Sequence, residues 1–84
     1  MLVVPSDRFN KDLARLLKKN PELREKITQT LKLMQTDIDR KSFRLHKLGG
    51  MNNWLLSVNM KIRIIFHINN VIHLTRIGTH DEVY

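Results

Sequence analysis

The side chains best suited to proton transfer and phosphate binding lie in the second half of this 84-residue chain. All four histidines are there: His46, His67, His73 and His80. Arg63 and Arg76 also lie there, among apolar, β-favouring residues where a charged side chain is unusual and indicates a specific role. Imidazole can take up and return a proton near neutral pH, and a guanidinium can hold a phosphate through paired hydrogen bonds. This combination indicates chemistry on, or binding to, an anion such as a phosphate.

Several other site classes are excluded. The chain has no cysteine, so it has no disulfide framework, thiol nucleophile or thiolate metal site. It contains no P-loop, no GxGxxG and no HExxH motif. The four histidines lack close ligand spacing, so we expect no metal site.

The charge balance also indicates an anionic partner. Fifteen Lys and Arg oppose eight Asp and Glu, for a net charge of +7. The excess of positive charge would attract nucleic acid or an acidic protein; the plainer alternative is that it only keeps the protein soluble. The length predicts a single domain over residues 1–84. No apolar run approaches the ~20 residues of a membrane span, and residues 1–9 do not resemble a signal peptide, so we expect a cytoplasmic protein.

The first half of the chain is predicted to form a strand and two helices. Residues 2–4 favour a short strand that stops at Pro5. Ser6 or Asp7 can cap a helix whose apolar positions recur at helical spacing, and Asn20-Pro21 can end it and start another. The two apolar stripes are Phe9, Leu13, Leu16 and Leu17, followed by Leu23, Ile27, Thr30, Leu31 and Met34.

From residue 43 onward the apolar period is close to two, which is typical of strands. Three strands are predicted, over residues 54–60, 62–68 and 71–77, with Asn69-Asn70 as a two-residue hairpin loop. The fold class is therefore α+β: a short first strand, a two-helix hairpin and a three-stranded antiparallel meander, with both helices on one face. The other face of the sheet must either be exposed to solvent or bind a partner or substrate.

Pairing of Ile68 with Val71 would place Arg63 directly opposite Arg76 on this open face. Like charges opposite each other are unfavourable unless an anion lies between them. The alternatives are a different register, or an acidic residue near the C-terminus that neutralises one arginine.

The remaining aromatic and imidazole groups have plainer interpretations. In the same register His73 opposes Phe66 and is a partly buried structural histidine. His80 at a strand end is more often a surface residue than a catalytic one. A tryptophan at a strand start, such as Trp54, usually packs in the core or at its rim. The alternative is that it stacks on an RNA base.

Four stretches of the second half resemble the RelE/ParE toxin superfamily, and most of all the RelE-like and YafQ-like toxins of bacterial type II toxin–antitoxin modules. They are His46–Gly50, Trp54, Arg63–Phe66 and Ile77–Tyr84. The resemblance implies two helices against an antiparallel sheet, and a toxin that enters the ribosomal A site and cuts messenger RNA. Cleavage would use the RNA's own 2′-hydroxyl, without metal or cofactor. The resemblance also implies a cognate antitoxin that neutralises the toxin, and a hetero-oligomer that binds operator DNA through the antitoxin.

The same resemblance assigns roles to individual positions. His80 would transfer a proton, Arg63 would bind the reacting phosphate, and Tyr84 would stack on or orient the RNA. His46 and Lys47 would be accessory groups. The expected RNA contacts are Lys47, Trp54, Lys61 and Arg76, of which Arg76 comes from the strand-pairing argument rather than from the resemblance.

The chain departs from the family pattern at three positions. Ser57 and Lys61 stand where YafQ-like enzymes use a histidine and an acidic residue, and Leu55 and Ser57 replace basic residues of RelE-like members. Two other functions therefore remain open: a ParE-like, non-enzymatic inhibitor of DNA gyrase, and a catalytically decayed toxin that only binds its antitoxin.

Overall fold

A computed structural model describes residues 1–49 and 52–83 of the chain. Within these residues, five strands and three helices follow one another along the sequence. They are β1 (Val3–Pro5), α1 (Asp7–Lys19), α2 (Arg24–Thr36), β2 (His46–Leu48), β3 (Asn53–Ser57), β4 (Ile62–Asn69), β5 (Val71–Thr79) and α3 (His80–Val83). Short 3₁₀ turns cover Pro21–Leu23 and Lys41–Phe43.

The first long helix begins where the sequence predicts, whereas α2 begins at Arg24, three residues after the predicted start at Pro21. Ser6 caps α1, since its Oγ accepts a 3.0 Å hydrogen bond from the backbone N–H of Phe9. Pro21 occupies the start of the 3₁₀ turn that leads into α2, where its missing N–H costs nothing. The predicted helical hairpin is thus confirmed.

The five strands form one sheet in the order β1-β5-β4-β3-β2. β1 runs parallel to β5, whereas β2 to β5 pair antiparallel in sequence order. The predicted α+β class and meander are confirmed, but the meander has four strands rather than three. The additional strand, β2, is only three residues long, which is too short to show an alternating pattern, and α3 was likewise not predicted.

One face of the sheet holds the main hydrophobic core. Leu56, Ile64 and Phe66 are fully buried there. Phe9 of α1 and residues Ile27 and Met34 of α2 complete the same cluster. Both long helices therefore cover this face, and the residues that alternate with Ile64 and Phe66 belong to the opposite, open face. No helix among residues 1–49 and 52–83 is long and apolar enough to span a bilayer.

The register of the β4–β5 hairpin differs from the predicted one near its loop. Ile68 pairs with Ile72, not with Val71, and Asn70 at the tip has a φ of +60°. A shift of one residue exchanges the two faces of a strand. The prediction that His73 faces the helices was therefore wrong: His73 is exposed and pairs with His67.

A β-bulge adds a second shift farther along the hairpin. Phe66 pairs with Leu74 but Ile65 pairs with Arg76, so Thr75 is the extra residue. Beyond the bulge Arg63 pairs with Gly78. The predicted juxtaposition of Arg63 and Arg76 was therefore wrong by two positions along β5.

Candidate functional site on the open face

Two rows of paired residues define the open face near the end of the meander. Ser57, Arg63 and Gly78 form one row across β3, β4 and β5. The next row contains His46, Leu55, Ile65 and Arg76. Directly paired residues lie on the same side of a sheet. The backbone thus places Arg63 and His46, two of the predicted catalytic residues, on one face.

Arg63 is held by the turn between β3 and β4. Its Nη1 donates a 2.8 Å hydrogen bond to the backbone oxygen of Asn59. The side chain of Asn59 shapes this turn, because its Oδ1 accepts from the N–H groups of Lys61 (2.8 Å) and Ile62 (2.7 Å). Asn59 was not predicted to form a turn, because it falls within the strand predicted over residues 54–60, whereas β3 ends at Ser57.

His80 begins α3 immediately after β5. Its side chain is 66% exposed, and its Nδ1 lies 3.6 Å from Oδ1 of Asp81. The local structure is set by a Thr-x-x-Glu capping arrangement, in which Glu82 Oε1 accepts a 2.9 Å hydrogen bond from the backbone N–H of Thr79. Hydrogen bonds from the backbone and side chain of Thr79 lower the pKa of Glu82. This Thr-x-x-Glu spacing could have revealed α3 from the sequence.

The third helix folds back over the open face at Gly78. A Cβ on Gly78 would lie 3.2 Å from Glu82 Oε1 and 3.3 Å from Val83 Cγ1, so a residue with a side chain would require α3 to shift by a few tenths of an ångström. Val83 is buried, as is Leu55, and both lie outside the main core cluster. Gly78, which pairs with Arg63, is therefore the residue against which α3 packs. It lies two positions before His80.

Lys47 and Trp54 lie on the other side of the sheet. They pair with each other, and Trp54 also pairs with the fully buried Phe66 and packs against the main core. Lys47 Nζ lies 5.8 Å from the centre of the Trp54 ring, within the range of a cation–π contact. The structure thus separates these two predicted RNA contacts from Arg63 and His46, and the packing interpretation of Trp54 accounts for its environment.

Arg76 forms an ion pair with a buried carboxylate of α1. Its Nε donates a 2.8 Å hydrogen bond to Oδ2 of Asp12, whose side chain is only 2% exposed. The same oxygen accepts from the N–H of Ile77 at 3.2 Å, at the edge of β5. Two exposed arginines, Arg8 and Arg15, approach the other oxygen at 3.6 and 3.3 Å.

The pKa of Asp12 reflects this environment. Burial alone would raise it, but the hydrogen bonds from Arg76 and from the Ile77 amide, with the charges of Arg76 and Arg8, bring the pKa below its ordinary value. The hydrogen bond to Asp12 in turn raises the pKa of Arg76. Asp12 was missed in the sequence analysis, although an acidic residue within the apolar stripe of an amphipathic helix is a signal for a buried ion pair.

A groove of about 790 Å³ runs between α1 and the end of β5. Its cationic lining includes Arg15, Lys19 and Lys61, together with the neutralised Arg76. Glu82 also lines it, and the charges of Arg15 and Lys19 contribute to its lowered pKa. Lys61, a predicted RNA contact, therefore belongs to this groove at the edge of the sheet.

The predicted site residue Tyr84 lies outside the described residues. Within residues 1–49 and 52–83, no group of three or more His, Cys, Asp or Glu side chains could hold a metal ion. The strand register places the guanidinium of Arg63 and the imidazole of His46 on the open face, and His80 follows the end of β5. Such groups can carry out proton transfer and stabilise charge on a phosphate.

Comparison with known proteins gave matches by structure alone. No protein-family model and no curated protein sequence matches the chain. A metal-bound toxin from Helicobacter pylori superposes with a TM-score of 0.85 at 21% identity, covering 100% of this chain and 99% of that one. YafQ from E. coli gives 0.82 at 18% identity, covering 98% and 96%. A YoeB/ParE toxin from Agrobacterium tumefaciens gives 0.79 at 13%, covering 95% and 99%.

The similarity extends over nearly the whole length of these toxins. It confirms the architecture implied by the resemblance of the four sequence stretches. The chain has the same fold as these three toxins.

Proposed function

We propose that this protein is the toxin of a type II toxin–antitoxin module and that it cuts messenger RNA on the ribosome. The observation that carries the proposal is the pairing of Arg63 with Gly78, which brings the strand end leading into His80 alongside a guanidinium on the open face. The fold shared with YafQ supports the same function. The net charge of +7 suits an RNA substrate.

The reaction needs three contributions around one phosphodiester. A base removes the proton of the 2′-hydroxyl, and the 2′-oxygen attacks the adjacent phosphorus. The bond from phosphorus to the 5′-oxygen breaks, and an acid protonates that oxygen. The products are a 2′,3′-cyclic phosphate and a 5′-hydroxyl end. Negative charge grows on the phosphate oxygens in the transition state, where a positioned cation lowers the barrier.

The open face supplies groups for each contribution. Arg63, anchored at the Asn59 turn, is suited to the developing phosphate charge. His80, largely exposed at the start of α3, is suited to proton transfer. His46 is an accessory imidazole on the same face, two strands away from Arg63. Tyr84 keeps its proposed role in stacking on or orienting the RNA.

The cationic groove provides a second contact with RNA. Arg15, Lys19 and Lys61 line it, and Glu82 connects it to α3 and so to the open face. These exposed cations can bind phosphates without reading sequence. RNA bound along the groove would pass close to the end of β5, where His80 begins.

An antitoxin is the proposed protein partner. The DinJ–YafQ toxin–antitoxin complex contains a chain that superposes on this one with a TM-score of 0.82 at 18% identity. The strongly basic surface here would attract an acidic partner segment. By covering the open face, such a partner would block Arg63 and His80 together.

The proposal is tested by adding the purified protein to a translating extract and mapping the RNA ends. We expect cuts within the A-site codon, with 5′-hydroxyl ends that a polynucleotide kinase can label directly. The variant His80→Ala should cut at least about tenfold more slowly. The exposed α2 variant Gln29→Ala should cut like the unmodified protein.

The same preparation separates the competing functions. Intact messenger RNA under full ribosome occupancy would overturn the nuclease proposal. Intact RNA combined with inhibition of gyrase supercoiling would establish the ParE-like alternative. Intact RNA and no growth arrest on expression would leave antitoxin binding as the function.

A further inference from the structure

The open face carries a second pair of imidazoles far from Arg63. His67 and His73 are direct cross-strand partners on β4 and β5. Their ring centroids lie 6.1 Å apart with an interplanar angle of 37°. His73 is exposed and His67 is half-buried, so solvent and ions reach the pair.

We propose that His67 and His73 form a chelating site for a divalent transition-metal ion. Imidazole nitrogen is a preferred ligand of Zn²⁺, Ni²⁺ and Cu²⁺, and Cu²⁺ binds nitrogen sites most strongly in this series. Two nitrogens at about 2.0 Å from one ion would bring the ring centres to roughly 5 Å from each other. Small rotations of the two side chains from the observed 6.1 Å reach this separation.

The surroundings make this an open, two-ligand site. Asn53 is the partner of His67 on β3, and Val4 is the partner of His73 on β1, so the row adds one amide and one apolar side chain. Neither is charged. Water would complete the coordination shell, and the exchangeable positions would remain available to an outside ligand.

The pair is distinct from the proposed nuclease site. His67 lies four residues along β4 from Arg63, a distance of about 13 Å at the rise of a strand. A bound ion would link β4 to β5 near their hairpin loop and so stabilise the hairpin. It would not contact the phosphate held by Arg63, and the inference does not depend on the proposed function.

The test uses tag-free protein, CuCl₂ and ZnCl₂, with imidazole resonances followed by NMR. Sub-stoichiometric Cu²⁺ should broaden the signals of His67 and His73 before those of His46 and His80. The variants His67→Gln and His73→Gln should each bind either metal at least about tenfold more weakly by calorimetry. The control variant His46→Gln should bind like the unmodified protein.

A stability measurement gives an independent readout. Metal that binds only the folded chain raises its melting temperature, by about 10 °C or more at a free concentration 100 times Kd. The rise should disappear in His73→Gln, whose exposed position makes unfolding of the variant itself unexpected. Equal broadening of all four histidines, or a melting temperature that metal raises equally in His73→Gln, would overturn the proposal.

Discussion

Arg63 and Gly78 face each other across β4 and β5, and α3 packs against Gly78 from the same side. The pairing links a guanidinium to the point where the chain turns into His80. Because Gly78 has no Cβ, Glu82 and Val83 approach the strand closely. The position of His80 relative to Arg63 therefore depends on a residue with no side chain.

Gly78→Ala tests this dependence. A methyl group would meet Glu82 Oε1 and Val83 Cγ1 at 3.2–3.3 Å and push α3 away from the sheet. We expect a loss of about 1 kcal/mol in the free energy of unfolding. The rate of RNA cleavage should fall by more than this loss of stability alone would cause, because His80 moves with α3. Amide chemical shifts of residues 79–83 report the displacement, and unchanged shifts would contradict it.

Asn59→Ala tests how Arg63 is held. The change removes the oxygen that accepts from the N–H groups of Lys61 and Ile62, and so loosens the turn on which Arg63 rests. We expect a loss of about 1 kcal/mol on urea unfolding. Cleavage should fall as well, although Asn59 itself contacts no RNA in the proposed mechanism.

The matched control for this change is Asn10→Ala on the exposed side of α1, where alanine favours the helix. It should retain both stability and cleavage. Equal cleavage by Asn59→Ala and the unmodified protein would show that Arg63 does not need the turn.

Asp12→Asn should destabilise the fold by about 2 kcal/mol. The substitution keeps the volume but replaces charge-assisted hydrogen bonds to Arg76 with weaker ones and leaves a guanidinium without its buried partner. Denaturant unfolding measures the difference. Asp39→Asn, at an exposed position, is the control and should change stability by less than about 0.5 kcal/mol. A similar loss in both variants would contradict a special role for Asp12.

Acid should destabilise the protein through the same carboxylate. The pKa of Asp12 is lower in the folded chain than its ordinary value of 3.8. The stability it contributes is therefore complete above that value and is lost as pH falls through the folded pKa. Between about pH 6 and about pH 2, the gap in unfolding free energy between the unmodified protein and Asp12→Asn should shrink. A gap that stays constant with pH would exclude Asp12 as its source.

The sequence predicted the architecture well because its helical stripes and alternating strands are long. Phe9, Ile27 and Phe66 lie in the core as their spacing indicates. The predicted register of β4 and β5 was wrong for local reasons: the last pair of the hairpin is Asn69 with Val71, which leaves Asn70 alone at the tip, and a bulge at Thr75 adds a second shift. Periodicity alone does not encode either feature.

The site was predictable only in part. His46 and Arg63 share the open face, whereas Trp54 and Lys47 lie on the opposite face, because successive residues of a strand point to alternate faces of the sheet. The role of Gly78 could not be predicted without knowing which element packs against it. Arg76 was predicted to bind an anion from outside, and it binds the carboxylate of Asp12 instead.

The central claim is that Arg63 and His80 act on the same phosphodiester. The most direct test measures single-turnover cleavage on ribosomes by Arg63→Ala, His80→Ala and the double variant. Each single change should slow cleavage at least about tenfold, and the double variant should lose much less than the product of the two factors, because residues that act as a unit are not additive. Losses that multiply fully, or a single variant that cuts at the unmodified rate, would contradict the account.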